Sequence, residues 1–290
     1  MSKKKRQVRK AAAVSAPRPQ RIPFVVRPFE GLPAEEDLVA MMQIIPAASM
    51  GVRLNEAHGG SEVTLVTVLP ELAQGLRRTD GEVLVALQTS IHSGDASRDV
   101  AAALLATLEL GSGAALRMKG LPEPGERLQD VLDLSVTPRI RVSETFDFWL
   151  TEKDSTDPKA LEALENARKE MAPTRPVPGV EHAYWCRMNG KEFVRWVRGE
   201  DEDDFFNALA RVHAARRSAL EEGARFIGAF RACGLAVPVW ELVAGTEAEE
   251  LTEPMKAMGE RLEEALAVTG PLDADARRAK AGIISRQVSL

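Results

Sequence analysis

The residues of this 290-residue chain best placed to do chemistry are cations. Lys3, Lys4, Lys5, Arg6, Arg9, Lys10, Arg18 and Arg21 stand in the first 21 residues with no Asp or Glu among them. Such a run neutralises phosphates and releases the counterions condensed on a nucleic acid, an attraction that weakens steeply with salt. Nothing in it can read a base. It is therefore expected either to contact RNA or a ribonucleoprotein such as the ribosome without sequence preference, or only to solubilise the chain. An acidic membrane surface would attract the same charges, but no apolar anchor accompanies them, so membrane binding is not expected.

Other chemistry-bearing positions are sparser. Arg216 falls inside an apolar stripe, where it either pairs with an anion or snorkels to water, and His213 lies one turn before it. These two are the candidate ligand-binding residues of a pocket. His182 and Cys186 are four apart, but on a strand that spacing separates them by about 13 Å, too far for one tetrahedral metal. His213 and Cys233 complete the available imidazole and thiol set, with no Cys-x-x-Cys pair, so no metal site is expected. The acidic run Glu200–Asp204 suits a helix start better than a divalent ion. Tyr184, Lys191, Phe193 and Arg195 mix cations with aromatics in the manner of a single-stranded RNA platform, though ordinary packing accounts for them equally. No phosphate loop, dinucleotide fingerprint, zinc-protease helix or nucleophile elbow is present, and no catalytic residue or cofactor is assigned.

The elements that must position these residues centre on Tyr184–Trp240. Asn189-Gly190 supplies the positive φ angles of a two-residue type I′ turn between Ala183–Met188 and Lys191–Val197. That turn fixes the register: Met188 faces Lys191, Arg187 faces Glu192, Cys186 faces Phe193, Trp185 faces Val194, Tyr184 faces Arg195 and Ala183 faces Trp196. Trp185, Val194 and Trp196 form the face expected to meet the core. Steps of three and four from Phe205 to Phe230 predict one helix of about 30 residues, kinked at Gly223 and stopped by Gly234. Val237–Leu242 then reads as a strand, placed at a sheet edge by Pro238.

Before this stretch, helices are expected at Glu35–Gln43, Pro70–Arg78, Asp95–Leu110 and from Asp157-Pro158 onward. Strands are expected at Ser49–Leu54, Val63–Leu69, Val83–Thr89, Val131–Val136 and Arg139–Val142, with an extended segment at Ile22–Phe29 anchored by Phe24 and Phe29. Pro173–Gly179 reads as a stiff linker. After it, Glu247–Ala267 reads as an amphipathic helix interrupted by Pro254, Asp273–Ala281 as a turn or two of helix, and Ile283–Leu290 as a docking strand.

The net charge of −5 conceals an asymmetry between the basic start and an acidic remainder. Aromatics are split as sharply: none lies between Glu30 and Thr145, and twelve of fourteen lie between Phe146 and Trp240. These contrasts predict an α+β protein of two lobes with small antiparallel sheets packed on helices. The divisions are a disordered basic tail at 1–21, a first lobe at 22–145, an aromatic-rich lobe at 146–245 and a helical region at 246–290, with the lobes joined near Val142–Gly179. The order strand, strand, acid-capped helix, glycine, strand from Val63 to Val131 recurs from Tyr184 to Val237, as an internal duplication would leave it. No apolar run is long enough to span a membrane, no secretory h-region follows the basic start, and two cysteines make no disulfide framework, so a cytoplasmic location is expected.

The opening Met1–Arg6, the run Phe24–Pro33 and the late Val237–Leu242 resemble an uncharacterised actinobacterial domain-of-unknown-function family that covers nearly the whole chain. Some of its relatives are labelled translocase-ATPase-like through a cysteine-rich zinc tail; the last 57 residues here hold no Cys. The resemblance implies a bacterial protein and supplies no mechanism. The function expected first is a non-catalytic binding protein touching RNA through residues 3–21. The alternatives are an enzyme or small-ligand binder with a pocket between lobes, and an interaction adaptor using the helix at Glu247–Ala267.

Overall fold

Two small sheets meet across one short helix. The computed structural model describes residues 23–153 and 156–285; the eight tail cations lie outside them. The first sheet is built from β1 (Ala48–Arg53), β2 (Glu62–Val66), β3 (Gly75–Arg77), β4 (Val83–Ala86), β5 (Ala115–Leu116) and β6 (Ile140–Val142), in the order β5-β3-β4-β2-β1-β6. Its pairs are antiparallel except β2 with β4, so it is a mixed sheet. Helix α1 (Glu35–Gln43) and helix α2 (Ala96–Leu108) build its layer together with the short α3 (Leu128–Val131). Asp95 caps α2 as the sequence implied, accepting from Arg98 N. Gly75 lies against α2: a Cβ there would sit 1.8 Å from Thr107 Oγ1.

The second sheet is wholly antiparallel. It is made of β7 (Thr174–Pro176), β8 (Ala183–Met188), β9 (Lys191–Trp196), β10 (Arg225–Ala232) and β11 (Leu235–Glu241), in the order β10-β11-β9-β8-β7. All six β8–β9 pairs fall in the register set by Asn189-Gly190. Helices α5 (Glu202–Ala214), α6 (Thr252–Leu266) and α7 (Ala274–Ser285) cover the Trp face, while α4 (Pro158–Glu170), capped by Asp157, buries no residue. Val194, Trp185, Phe205, Leu209, Met255 and Leu262 share that aromatic core. The apolar face of α6 is thus packed inside, with Met255, Met258, Leu262 and Ala265 buried. Among the described residues no helix is long and apolar enough to cross a membrane.

Several expectations are corrected. The 30-residue helix is a 13-residue helix followed by a hairpin. Arg216 at φ 59° and Gly223 at φ 85° break the helical path, and Cys233-Gly234, at φ 46° and 82°, make the two-residue turn between β10 and β11. Gly234 therefore sits in a hairpin turn, not at a helix stop. Its bare Cα admits the chain start, since a Cβ would lie 2.9 Å from Arg27 Cβ. Pro238 is not at an edge. Strand β11 lies between β10 and β9, and Pro238 falls just outside its ladder with β9, which begins at Val239. Residues 70–78 leave the helical region at Glu71 and Leu72, both at φ 55°, and continue as β3. Residues 128–131 are helical where Val131–Val136 was expected as strand, and Leu132 keeps one bridge to Leu54. The linker at 173–179 contains β7. Of the expected anchors Phe29 is buried and Phe24 is exposed. Ile283–Ser285 end α7, and the rest of that expected strand lies outside the described residues. The proposed repeat does not extend to pairing: β2 and β4 run parallel, whereas β8 and β9 form a hairpin.

The second face of β8–β9 is buried too. Tyr184, Cys186, Phe193 and Arg195 are each at most 9 % exposed, so the RNA-platform reading fails for want of a solvent face. Tyr184 belongs to the first sheet's core together with Leu38 and Met41 of α1 and with Ile45 just beyond it. Helix α1 is held at both ends by what it crosses. At its C-terminal end Arg195 donates to the Ile44 carbonyl at 3.0 Å, and Gln88 donates to the Met41 and Ile45 carbonyls. These donors satisfy carbonyls that a helix end leaves unpaired, in a last turn with no basic residue of its own. Burial lowers the pKa of Arg195, and the Cys186 thiol only partly opposes this.

Candidate functional site

The first turn of α1 borders a large cleft through Glu36. Three acids occupy its first turn, Glu35, Glu36 and Asp37, where the helix dipole favours negative charge. Each has a different fate. Glu35 is buried and clasped by Arg27 through bonds of 2.6 and 2.8 Å. Glu36 lies over Gly199, so close that a Cβ there would be 2.0 Å from its Oε1. Asp37 reaches across to the second sheet and accepts through Oδ1 from both His182 Nδ1 and Tyr184 Oη, each at 2.9 Å.

That pair of bonds fixes the imidazole. An ionised carboxylate only accepts, so Nδ1 carries a proton and Nε2 is the nitrogen that gains or loses one. Burial of the ring opposes its charged form. The hydrogen bond and charge of Asp37, with Glu36 and Glu181 beyond, outweigh that and raise the His182 pKa above its ordinary value. Burial and the same carboxylate keep the Tyr184 phenol protonated. His182 holds its place at φ 58°, a left-handed conformation seldom adopted by a residue with a side chain. It leads directly into β8.

The cleft beside this cluster has a volume of about 910 Å³. Its floor is Val180, Trp196, Val197 and Met255; its rim carries Glu36, Glu181, Glu200, Glu260 and Glu263 against Arg198 and Lys256, with His182 on the wall. The Arg198 guanidinium lies 4.2 Å from the Trp196 ring centre and pairs with Glu200. Burial opposes ionisation of Glu200, but Arg198 holds it below its ordinary value. One guanidinium is thus already seated on an indole and closed by a carboxylate, the arrangement that suits cation–π contact. His182 thus lines the cleft with its Nδ1 held by Asp37, and the rim carries more carboxylates than cations.

The residues chosen from sequence lie elsewhere. Arg216 is exposed in the turn that ends α5. His213, at the end of α5, bonds Ser218 Oγ at 2.7 Å and meets the Phe226 ring edge-on, beside a cavity of about 260 Å³ shared with α7. Neither faces the cleft. Among the described residues no group of three His, Cys, Asp or Glu converges as a metal would require. Sequence reasoning missed the Asp37–His182–Tyr184 cluster because its bonds span 145 and 147 residues. The cleft is lined by Glu36 of α1, by residues of the second sheet and by residues of α6.

The chain belongs to a family of unknown function, DUF5926, whose model matches residues 28–290. No curated protein and no solved structure matches it. The matched region contains every residue of the cleft and begins after the eight tail cations.

Proposed function

We propose that this is a cytoplasmic bacterial ligand-binding protein that takes an amine- or guanidinium-bearing small molecule into the His182 cleft. The observation that carries the reading is the cleft itself: about 910 Å³ of space, an indole floor, carboxylates in excess over cations, and an imidazole oriented by Asp37. A pocket with a few convergent polar groups and a perturbed titratable residue is the default binding site of a fold. Rim carboxylates favour a cationic ligand, and His182 Nε2 supplies an acceptor for one of its N–H groups at pH values where the ring is neutral. Calorimetric titration with 1,4-diaminobutane and with a neutral diol of equal length tests this. Saturable binding of the diamine that weakens in Glu260→Gln and Glu263→Gln supports the reading; equal or absent binding of both compounds refutes it.

A second, separable reading rests on the eight cations of residues 3–21, which no acid interrupts and which precede the matched family region. Contact with RNA or the ribosome through them is a proposal of electrostatic attraction alone. RNA binding across a salt series, with the full chain and with a version lacking residues 2–21, tests it.

A further inference from the structure

The charge of the cleft and the charge of the chain's own start are opposite. We infer that residues 3–10 are an intramolecular occupant of the His182 cleft, so that the free protein competes with its own ligand for the site. This rests on the cleft being a cation site, as proposed above.

Three observations carry it. The first is complementarity. Lys3, Lys4, Lys5, Arg6, Arg9 and Lys10 lie in a segment without acids, and all 43 acidic residues of the chain follow residue 29. The cleft rim holds five carboxylates against two cations, and one of those cations, Arg198, is already committed to Glu200. The second is precedent within the site. Arg198, its guanidinium carbon 4.2 Å from the Trp196 ring centre and paired with Glu200, shows a guanidinium already held at the cleft between an indole and a carboxylate. An Arg or Lys from the start of the chain would meet the same chemistry at the unclaimed carboxylates Glu181, Glu260 and Glu263.

The third is reach. Arg27 donates to the Gly199 carbonyl at 3.3 Å, and Gly199 lines the cleft. The chain thus passes the lip of the cleft only 17 residues after Lys10. At roughly 3.3–3.6 Å per residue that stretch can cover up to about 55–60 Å, ample to return to the opposite rim. Tethering converts the contact into an intramolecular one, with an effective concentration in the millimolar range for a short connection. Even weak cation–carboxylate pairing is then sufficient to raise the apparent dissociation constant of a small cation.

The test uses the full chain. A carbodiimide joins a lysine amine to a carboxylate only where the two are in contact, and peptide mapping of the monomer locates the bonds. The proposal expects links from Lys3, Lys4, Lys5 or Lys10 to Glu181, Glu260 or Glu263, lost at high salt. It also expects 1,4-diaminobutane to bind the variant K3Q/K4Q/K5Q/R6Q about tenfold more tightly than the parent. If the diamine binds parent and variant equally and no such links form, the inference falls while the cation cleft stands. If the diamine binds neither protein, the cleft reading fails and takes the inference with it. If the variant loses RNA binding with its diamine affinity unchanged, the segment serves nucleic acid and the inference is overturned.

Discussion

His182 and His213 both lie beside strands of the second sheet, and their settings differ. His182 is bonded by a carboxylate from the other sheet's helix, stands in a left-handed backbone and opens on a cleft of about 910 Å³. His213 is bonded by a hydroxyl five residues along its own segment and lies edge-on to Phe226. A carboxylate can only accept, so it sets the tautomer and favours the charged ring. A hydroxyl both donates and accepts, so it leaves the tautomer open. The apolar stripe that drew notice to His213 and Arg216 is a local pattern, whereas the His182 contact depends on a carboxylate 145 residues away.

Breaking that long-range contact should have the largest effect. Asp37→Asn removes the only charged partner of His182 Nδ1 and Tyr184 Oη among the described residues, and is expected to cost about 3 kcal/mol in urea unfolding. The same variant should change the pH dependence. The folded-state value of His182 lies above its ordinary 6.5, so its contribution is fully present below about that pH and is lost as pH rises through the higher folded value. Unfolding midpoints measured from pH 6 to pH 9 should show this decline in the parent, and a flatter profile in Asp37→Asn. A parent profile without the decline breaks the comparison.

Tyr184→Phe keeps the ring and loses one bond to the carboxylate, for an expected cost of about 1.5 kcal/mol by the same assay. Ser218→Ala, the matching change at His213, removes a bond between neutral groups and should cost about 1 kcal/mol or less, with no change in diamine affinity. Arg216→Ala should be smallest, within about 0.5 kcal/mol of the parent and silent in ligand titration, since the side chain is exposed. A large loss of diamine binding in either of the last two variants would return the site to His213.

What was legible in the sequence follows from how local each signal is. Helix α1 and the β8–β9 register could be read because a proline-led acidic turn and Asn189-Gly190 are local signals. The β10–β11 hairpin was hidden because Cys233 occupies a positive-φ turn position where Asn or Asp is the usual marker, and because Phe226 and Phe230 fit a helical spacing as well as a strand's. The burial of Arg195 was unreadable, since its partner is a helix-end carbonyl 151 residues away. The cleft shared that obstacle. Asp37 reads as an ordinary first-turn acid, and His182 as a loop residue, until the fold brings them together.

The most direct measurement is a histidine-ring NMR titration of the full chain with 1,4-diaminobutane, the His182 signal being assigned with His182→Gln. A saturable shift of His182, with His213 unmoved and with midpoint matching the calorimetric one, is the result expected of a cation site at this cleft. An unmoved His182 at saturating diamine, or a shift confined to His213, would contradict it.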